Sequence, residues 1–289
     1  MRGISLILLA FCGCLACSGD AEETAKTDDV SLTFTEKSPL SDPIKITKRT
    51  GWSLETIKKQ VDPNYELSAE SFSAYVPEDY DGSKPFGLFV WINAGPKGDI
   101  PSAWKPVFDK HHLILIGANN GGNPRPILIR MGMALDAVKN MKGKYKIDDA
   151  RIYVGGASGG GKVATILGVA WPDAFRGGFY MIGTCHYREV ATGEPGHYWP
   201  KGFDAPESKL LMQSKQQNRH VFMTGEKDMN RKPTQGMSAA YKSDRFLHVT
   251  VLDVPGAGHE IPDAEWFEKG IIALDVIPVS ATKPVKPKL

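Results

Sequence analysis

Short, uninterrupted runs of apolar residues recur along the chain from about residue 71. They occupy residues 86–92, 113–116, 152–154, 179–182, 221–223 and 247–252. Runs of this length without polar alternation are typical of strands that are buried on both faces of a parallel sheet. The pattern therefore predicts a sheet of six or more strands.

The segments between these runs carry apolar residues at helical spacing. Steps of three and four separate Leu128, Met131, Leu135 and Val138 in one segment, and Phe267, Ile271 and Leu274 in another. Strands that alternate with helices predict an α/β fold, here a mostly parallel open sheet with helices on both faces. Residues 185–218 are rich in Gly and Pro and interrupt the alternation, so we expect a short insertion there over one edge of the sheet.

The two ends of the chain differ from its centre. Arg2, the apolar run at 4–11 and the small residues that follow predict a secretory signal peptide over residues 1–17. Small residues ahead of Cys17 resemble a bacterial lipobox, in which that cysteine is acylated, although Cys14 stands where leucine is usual. A plain cleaved signal peptide is the alternative. We expect a flexible linker over 18–50, one domain over 51–278 and a disordered tail over 279–289.

Composition narrows the choice of partners. The 35 Lys and Arg nearly balance the 33 Asp and Glu, so a nucleic acid or a membrane surface is not expected as the main partner, apart from an N-terminal lipid anchor. Cys185 is the only cysteine of the predicted domain, which excludes an internal disulfide there. Cys185 and His186 have no further ligands at zinc spacing, so no metal site is predicted.

A glycine-flanked serine follows the third apolar run. Residues 156–160 read Gly-Ala-Ser-Gly-Gly and lie between a predicted strand and a helical segment at 162–169. So sharp a turn holds the serine in a strained conformation, and side chains at Gly156 and Gly160 would collide. The turn exposes the Ser158 hydroxyl and leaves the Gly159 N–H free to bind a developing oxyanion. The pattern predicts that Ser158 is a catalytic nucleophile.

The same residues also fit a second motif. Residues 156–162 match G-x-x-x-x-G-K, the phosphate loop of nucleotide-binding proteins. That motif requires Ser or Thr at the next position to hold magnesium, and this chain has Val163. The strands predicted before the loop also argue against it, so a nucleotide binder is the weaker alternative.

Candidate partners for Ser158 follow in a definite order. Asp228 comes after the strand at 221–223 and His259 after the strand at 247–252, so both lie at the sheet edge where Ser158 lies. The order Ser, acid, His is that of a hydrolase triad on an α/β sheet. The acids less favoured are Asp244, late in a helical segment, Asp253, within the strand before His259, and Glu226.

Four segments together resemble the α/β-hydrolase superfamily, and most of all its secreted esterases and polyhydroxybutyrate-depolymerase-like proteins. They are residues 74–77, 156–160, 225–228 and 256–259, within a resemblance that covers about residues 71–274. The resemblance implies that Ser158 is the nucleophile, His259 the base and Asp228 the residue that orients it. It further implies cleavage of carboxylic esters through an acyl-enzyme, with no cofactor.

One loop departs from the pattern of that superfamily. Where His-Gly-Gly is common, residues 91–96 read Trp-Ile-Asn-Ala-Gly-Pro. Because the second oxyanion donor is a main-chain group, the N–H of Ala94 or Gly95 is predicted to serve beside Gly159. A protein that kept the fold as a non-catalytic binding lipoprotein is the alternative that this departure favours.

The remaining histidines and aromatic residues offer weaker candidates. His186 and Trp199 lie in the predicted insertion, where either could contact substrate. Lys162 is expected one turn into the helix after Ser158, in a structural role. Structural roles are also expected for His111, His112, His220 and His248.

Overall fold

A computed structural model describes residues 30–60 and 65–275 of the 289-residue chain. The predicted signal peptide with Cys17, residues 18–29 of the predicted linker and the predicted tail at 279–289 lie outside the described residues.

Eight strands form one sheet. In chain order they are β1 (Val30–Thr33), β2 (Ser71–Tyr75), β3 (Phe86–Ile92), β4 (Leu113–Ala118), β5 (Ile147–Ala157), β6 (Gly177–Met181), β9 (Arg219–Gly225) and β10 (His248–Val254). A separate two-stranded ribbon joins β7 (Val190–Ala191) to β8 (Tyr198–Trp199). The order across the sheet is β1-β2-β4-β3-β5-β6-β9-β10. All neighbours from β4 to β10 pair in parallel, whereas β2 pairs antiparallel with β1 and β4.

Helices cover the two faces of the sheet. They are α1 (Pro43–Thr50), α2 (Leu54–Gln60), α3 (Lys105–Lys110), α4 (Ile127–Lys144), α5 (Gly159–Ala170), α6 (Ser208–Gln217), α7 (Arg231–Ser243) and α8 (Ala264–Asp275). The predicted fold class, a mostly parallel sheet with helices on both faces, is confirmed. All six predicted strands are present, and α4 and α8 form where the helical spacing predicted them.

Alternate residues of β3 show how the sheet is buried on both sides. Leu88 and Val90 pack into a core beneath α4 and α5, whereas Phe89 and Trp91 point into a second, aromatic core. In the second core Trp104 stacks on Phe267 of α8 with 3.9 Å between ring centroids. A strand that is apolar at every position is thus explained by two cores, one on each face.

The expected flexible linker over 18–50 is wrong from Val30 onward. Residues 30–33 extend the sheet as its edge strand. Helix α1 begins at Pro43 and is capped by Asp42, whose side chain accepts hydrogen bonds from the N–H groups of Ile44 and Lys45. Ile46 on the inner face of α1 is buried. The polar composition of this segment concealed both elements, because a four-residue edge strand and a helix with one apolar stripe leave few apolar residues.

The predicted insertion over 185–218 is also shorter than expected. Its first part contains the β7–β8 ribbon, but residues 208–217 form α6, a regular helix that lies against α5. Leu210 and Ser214 carry the buried face of α6. So sparse an apolar stripe gave no helical signal among the neighbouring glycines and prolines.

Candidate active site

The turn between β5 and α5 holds Ser158 in the left-handed region. Its φ is 54° and its ψ is −118°, a conformation that non-glycine residues rarely adopt. The Ser158 N–H donates to the carbonyl of Met181, 2.9 Å away, which ties the turn to the end of β6. The strain is therefore maintained by surrounding structure and directs the serine side chain out of the sheet edge.

Two glycines allow the close approach that this turn needs. A Cβ on Gly156 would lie 2.5 Å from the carbonyl carbon of Gly160 and 2.7 Å from the carbonyl oxygen of Ile92. A Cβ on Gly160 would overlap that same Ile92 oxygen. Strand β5, the first turn of α5 and the end of β3 thus meet at a point where no side chain fits.

Ser158, His259 and Asp228 form a continuous hydrogen-bonded chain. The Ser158 Oγ lies 3.0 Å from His259 Nε2, and His259 Nδ1 lies 2.7 Å from Asp228 Oδ1. A carboxylate only accepts, so Nδ1 carries the ring proton and Nε2 is free to accept the serine proton. The three residues follow β5, β9 and β10, whose carboxyl ends meet at one edge of the sheet. Sequence reasoning placed these three residues together, and the structure brings them together.

Two residues that sequence reasoning missed hold Asp228. The Thr224 hydroxyl donates to Asp228 Oδ2 at 2.9 Å, and the Asn230 N–H donates to Oδ1 at 2.9 Å. The Asn230 side chain also donates to the carbonyl of Ile182, a β-branched residue at φ 48° that directly follows Met181, the acceptor of the Ser158 N–H. Thr224 directly follows the predicted strand at 221–223 and lies four residues before Asp228, and that spacing is the signal that could have revealed it.

Some main-chain N–H groups near Ser158 have no hydrogen-bond partner among the described residues, and two of them are candidates predicted from the sequence. One belongs to Gly159, the first residue of α5, and the other to Ala94 in the loop after β3. The Gly95 N–H instead donates to the side chain of Asn93, 3.2 Å away. Of the two candidates predicted from the sequence, Ala94 therefore has the free N–H and Gly95 does not.

No protein-family model and no curated protein sequence matches the chain. Solved structures do match. An S-formylglutathione hydrolase from Staphylococcus aureus has a TM-score of 0.55 at 13% identity, over 86% of this chain and 99% of its own. A poly(3-hydroxybutyrate) depolymerase from Bordetella parapertussis has a TM-score of 0.51 at 17% identity, over 71% and 82%. An α/β-hydrolase enzyme from the metagenome of Lake Arreo has a TM-score of 0.50 at 17% identity, over 74% and 77%.

The chain has the α/β-hydrolase fold. In this fold the competing acids are engaged elsewhere. Asp244 pairs with Arg188 and accepts a hydrogen bond from the Tyr187 hydroxyl. Asp253 pairs with Arg231, 2.8 Å away, and Glu226 accepts the N–H of Gly256. Only Asp228, among the acids weighed from the sequence, bonds His259.

The α/β-hydrolase turn leaves no room for a phosphate loop. Residues 159–162 already belong to α5, and the Lys162 N–H donates to the carbonyl of Ser158 as an ordinary helical bond. The extended stretch of glycine-rich backbone that would wrap a phosphate is absent from this part of the described chain. The geometry thus argues against the nucleotide-binding alternative, and Lys162 lies one turn into the helix as expected.

His186 is not a substrate contact in this fold. Its side chain is fully buried between the rings of Tyr187 and Tyr241, and its Nε2 lies 3.5 Å from Asp244 Oδ2. Burial lowers the pKa of His186 to about 4, so the ring is neutral near pH 7. The sequence-based prediction for His186 is wrong because packing against Tyr187 and Tyr241 closes its side chain off from solvent.

Trp199 packs beneath the ribbon instead of standing free. Its ring covers Gly236 and Met237 on α7, the helix that follows Asp228. Tyr198 beside it is 58% exposed. A substrate contact for Trp199 stays a prediction.

Neither a metal-binding cluster nor a membrane-spanning helix occurs within residues 30–60 and 65–275. In those ranges no three His, Cys, Asp or Glu side chains cluster closely enough to hold a metal ion. None of the helices there has the length and apolar character needed to cross a membrane.

Proposed function

We propose that this protein is a serine hydrolase that cleaves carboxylic esters. The observation that carries the proposal is the chain of contacts from Ser158 Oγ to His259 Nε2 and from His259 Nδ1 to Asp228 Oδ1, at 3.0 and 2.7 Å. The neighbours described as an S-formylglutathione hydrolase and a poly(3-hydroxybutyrate) depolymerase support hydrolysis as the reaction class.

In the first step, His259 Nε2 takes the proton of the Ser158 hydroxyl as Oγ attacks the ester carbonyl carbon. The carbonyl π electrons move to oxygen, and the N–H groups of Gly159 and Ala94 bind the resulting oxyanion. Asp228 holds the His259 tautomer and stabilises the imidazolium. Collapse of the tetrahedral intermediate breaks the bond to the alkoxy group, which leaves as an alcohol with the proton from Nε2.

In the second step, water attacks the acyl-enzyme. His259 accepts one proton from water as its oxygen bonds to the acyl carbon, and it then returns that proton to Ser158 Oγ. The carboxylic acid is released and the enzyme is restored. No step needs a redox partner or a second substrate besides water.

The proposal is tested by hydrolysis of p-nitrophenyl butyrate under pre-steady-state conditions. We expect a burst of p-nitrophenol close to one equivalent of enzyme, followed by slower turnover, if deacylation limits the rate. Ser158→Ala should show neither phase while keeping the wild-type melting temperature. Turnover of this ester by Ser158→Ala at the wild-type rate would contradict the assignment.

We also propose export, with Cys17 as a lipid anchor and an acylated polysaccharide or polyester as substrate. The supporting observations are the N-terminal sequence pattern and the resemblance to secreted esterases. Expression in a bacterium fed an alkynyl fatty acid should label the wild type and not Cys17→Ser. Acid release from acetylated xylan, compared with release from a polyhydroxybutyrate film, separates the two substrate classes.

A further inference from the structure

Arg130 is a buried cation close to the loop after β3, which contains Ala94. It lies in the first turn of α4 and is 6% exposed. Its Nε donates to the carbonyl of Gly121 at 2.7 Å, its Nη2 to the carbonyl of Asn93 at 2.9 Å, and its Nη1 is 3.3 Å from Asn123 Oδ1. All three acceptors are neutral. Among the described residues no carboxylate lies within ion-pair distance of this guanidinium.

The bond to Asn93 fixes the peptide that carries the second oxyanion donor. In a trans peptide the C=O and the N–H point in opposite directions, and no described peptide is cis. Because Arg130 holds the Asn93 carbonyl on one side, the Ala94 N–H must point to the other side of the loop. That N–H has no partner among the described residues.

Other groups of this loop around the Ala94 N–H are hydrogen-bonded. The Asn93 side chain accepts the Gly95 N–H and donates to the carbonyl of Lys97, 2.9 Å away. The carbonyl of Ala94 accepts the N–H of Asn123 at 2.8 Å. Asn123 also packs on the nucleophile turn, because a Cβ on Gly159 would lie 2.7 Å from Asn123 Cγ. The loop after β4 therefore joins the two peptides that carry the free N–H groups.

We propose that Arg130 is a positioning residue, which aims the Ala94 N–H at the oxyanion and places an unneutralised positive charge behind that peptide. The inference rests on the proposed hydrolase function. A buried charge without a counter-ion is unfavourable in the resting protein. It becomes favourable when negative charge develops on the far side of the 93–94 peptide, which is where an oxyanion forms. Burial lowers the pKa of Arg130 to about 10, so it remains a cation near neutral pH.

The test measures the rate at which a fluorophosphonate probe modifies Ser158, because this reaction needs no knowledge of the substrate and passes through an anionic, oxyanion-like state. Arg130→Met removes the charge and the donors, and we expect its second-order labelling rate to fall by roughly 30-fold. Direct loss of an oxyanion donor typically costs 10²- to 10³-fold, and an effect through a peptide should be smaller. The labelled fraction at long times should stay at the wild-type level, because it counts intact sites.

Two further variants keep the test informative if Arg130→Met does not fold. Arg130→Gln keeps an N–H for the Asn93 carbonyl but carries no charge, and we expect it to label about tenfold more slowly than wild type. Arg130→Lys keeps the charge and should label faster than Arg130→Gln. Equal rates for wild type and Arg130→Gln would overturn the role of the charge.

Arg151→Met is the matched control. Arg151 pairs with Asp275 at 2.6 Å and donates to the carbonyl of His111, at the opposite end of β5 from Ser158. We expect this variant to lose stability and to keep the wild-type labelling rate. If it slows labelling as much as Arg130→Met does, the Arg130 effect is a general loss of rigidity and the inference fails. Absence of labelling in the wild type would instead overturn the proposed function.

Discussion

Gly156→Ala tests whether close packing at the nucleophile turn positions the catalytic groups. The new Cβ would lie 2.5 Å from the carbonyl carbon and oxygen of Gly160 and 2.7 Å from the carbonyl oxygen of Ile92. Ordinary contact begins near 3.4 Å, so about 0.9 Å of movement is needed on the Gly160 side. All three contacts are backbone atoms, which cannot rotate away as a flexible side chain would.

The displaced backbone carries the catalytic groups. Gly160 follows the Gly159 N–H in α5, and Ile92 precedes the loop with the Ala94 N–H. Misplacement by about 1 Å costs roughly 100-fold in rate, and overpacking costs about 1–3 kcal/mol of stability. We expect Gly156→Ala to lower kcat/KM by 10- to 100-fold and to lower the free energy of unfolding by about 2 kcal/mol. Ester hydrolysis per titrated site and urea unfolding provide the two measurements.

Gly132→Ala supplies the matched control in the middle of α4. A Cβ there would meet nothing nearer than 3.9 Å, so the same chemical change should stabilise the helix by about 0.5–1 kcal/mol and leave kcat/KM unchanged. If Gly156→Ala retained full activity and wild-type stability, the close approach would not matter and the reasoning would be refuted. Equal losses in both variants would also refute it.

Three further predictions follow from the same site and core. Asp228→Asn should keep the fold and lower kcat by about 10⁴-fold, because an amide can donate to His259 Nδ1 and select the wrong tautomer; steady-state hydrolysis within tenfold of wild type would contradict this. Thr224→Val removes the 2.9 Å bond to Asp228 Oδ2 and should lower kcat about tenfold with little change in KM. Burial lowers the pKa of His220 to about 4 from 6.5. Between these two values the unfolded chain is protonated at His220 and the folded chain is not. The stability contributed by neutral His220 is therefore complete above pH 6.5 and is lost as the pH falls towards 4. Urea unfolding should show a loss of about 2 kcal/mol between pH 7.5 and 5, and His220→Gln should reduce that slope.

The sequence predicted the parts of the fold that depend on strong periodicity. Uninterrupted apolar runs located β3, β4, β5, β6, β9 and β10, because strands between two helical layers have no polar face. Elements with few apolar residues were not predicted from the sequence. α1 depends on the cap at Asp42 and one buried Ile46, and β1 depends on pairing with β2, which no local pattern reveals.

The candidate site divides in a similar way. Ser158, Asp228 and His259 could be assigned because residues at the carboxyl ends of parallel strands share one edge, so chain order constrains their positions. Arg130 could not, because its acceptors are two carbonyl groups and a side chain from two separate loops, those after β3 and β4. The prediction for His186 failed for a related reason. Its burial between Tyr187 and Tyr241 arises from packing between distant parts of the chain, which local sequence does not reveal.

The central claim is that Ser158 is an activated nucleophile. The most direct measurement is peptide mapping by mass spectrometry after reaction with a fluorophosphonate probe. We predict one adduct per chain, on the peptide that contains Ser158, with loss of the adduct in both Ser158→Ala and the acid-unfolded protein. An adduct on another residue, or a folded wild type that remains unmodified, would contradict it.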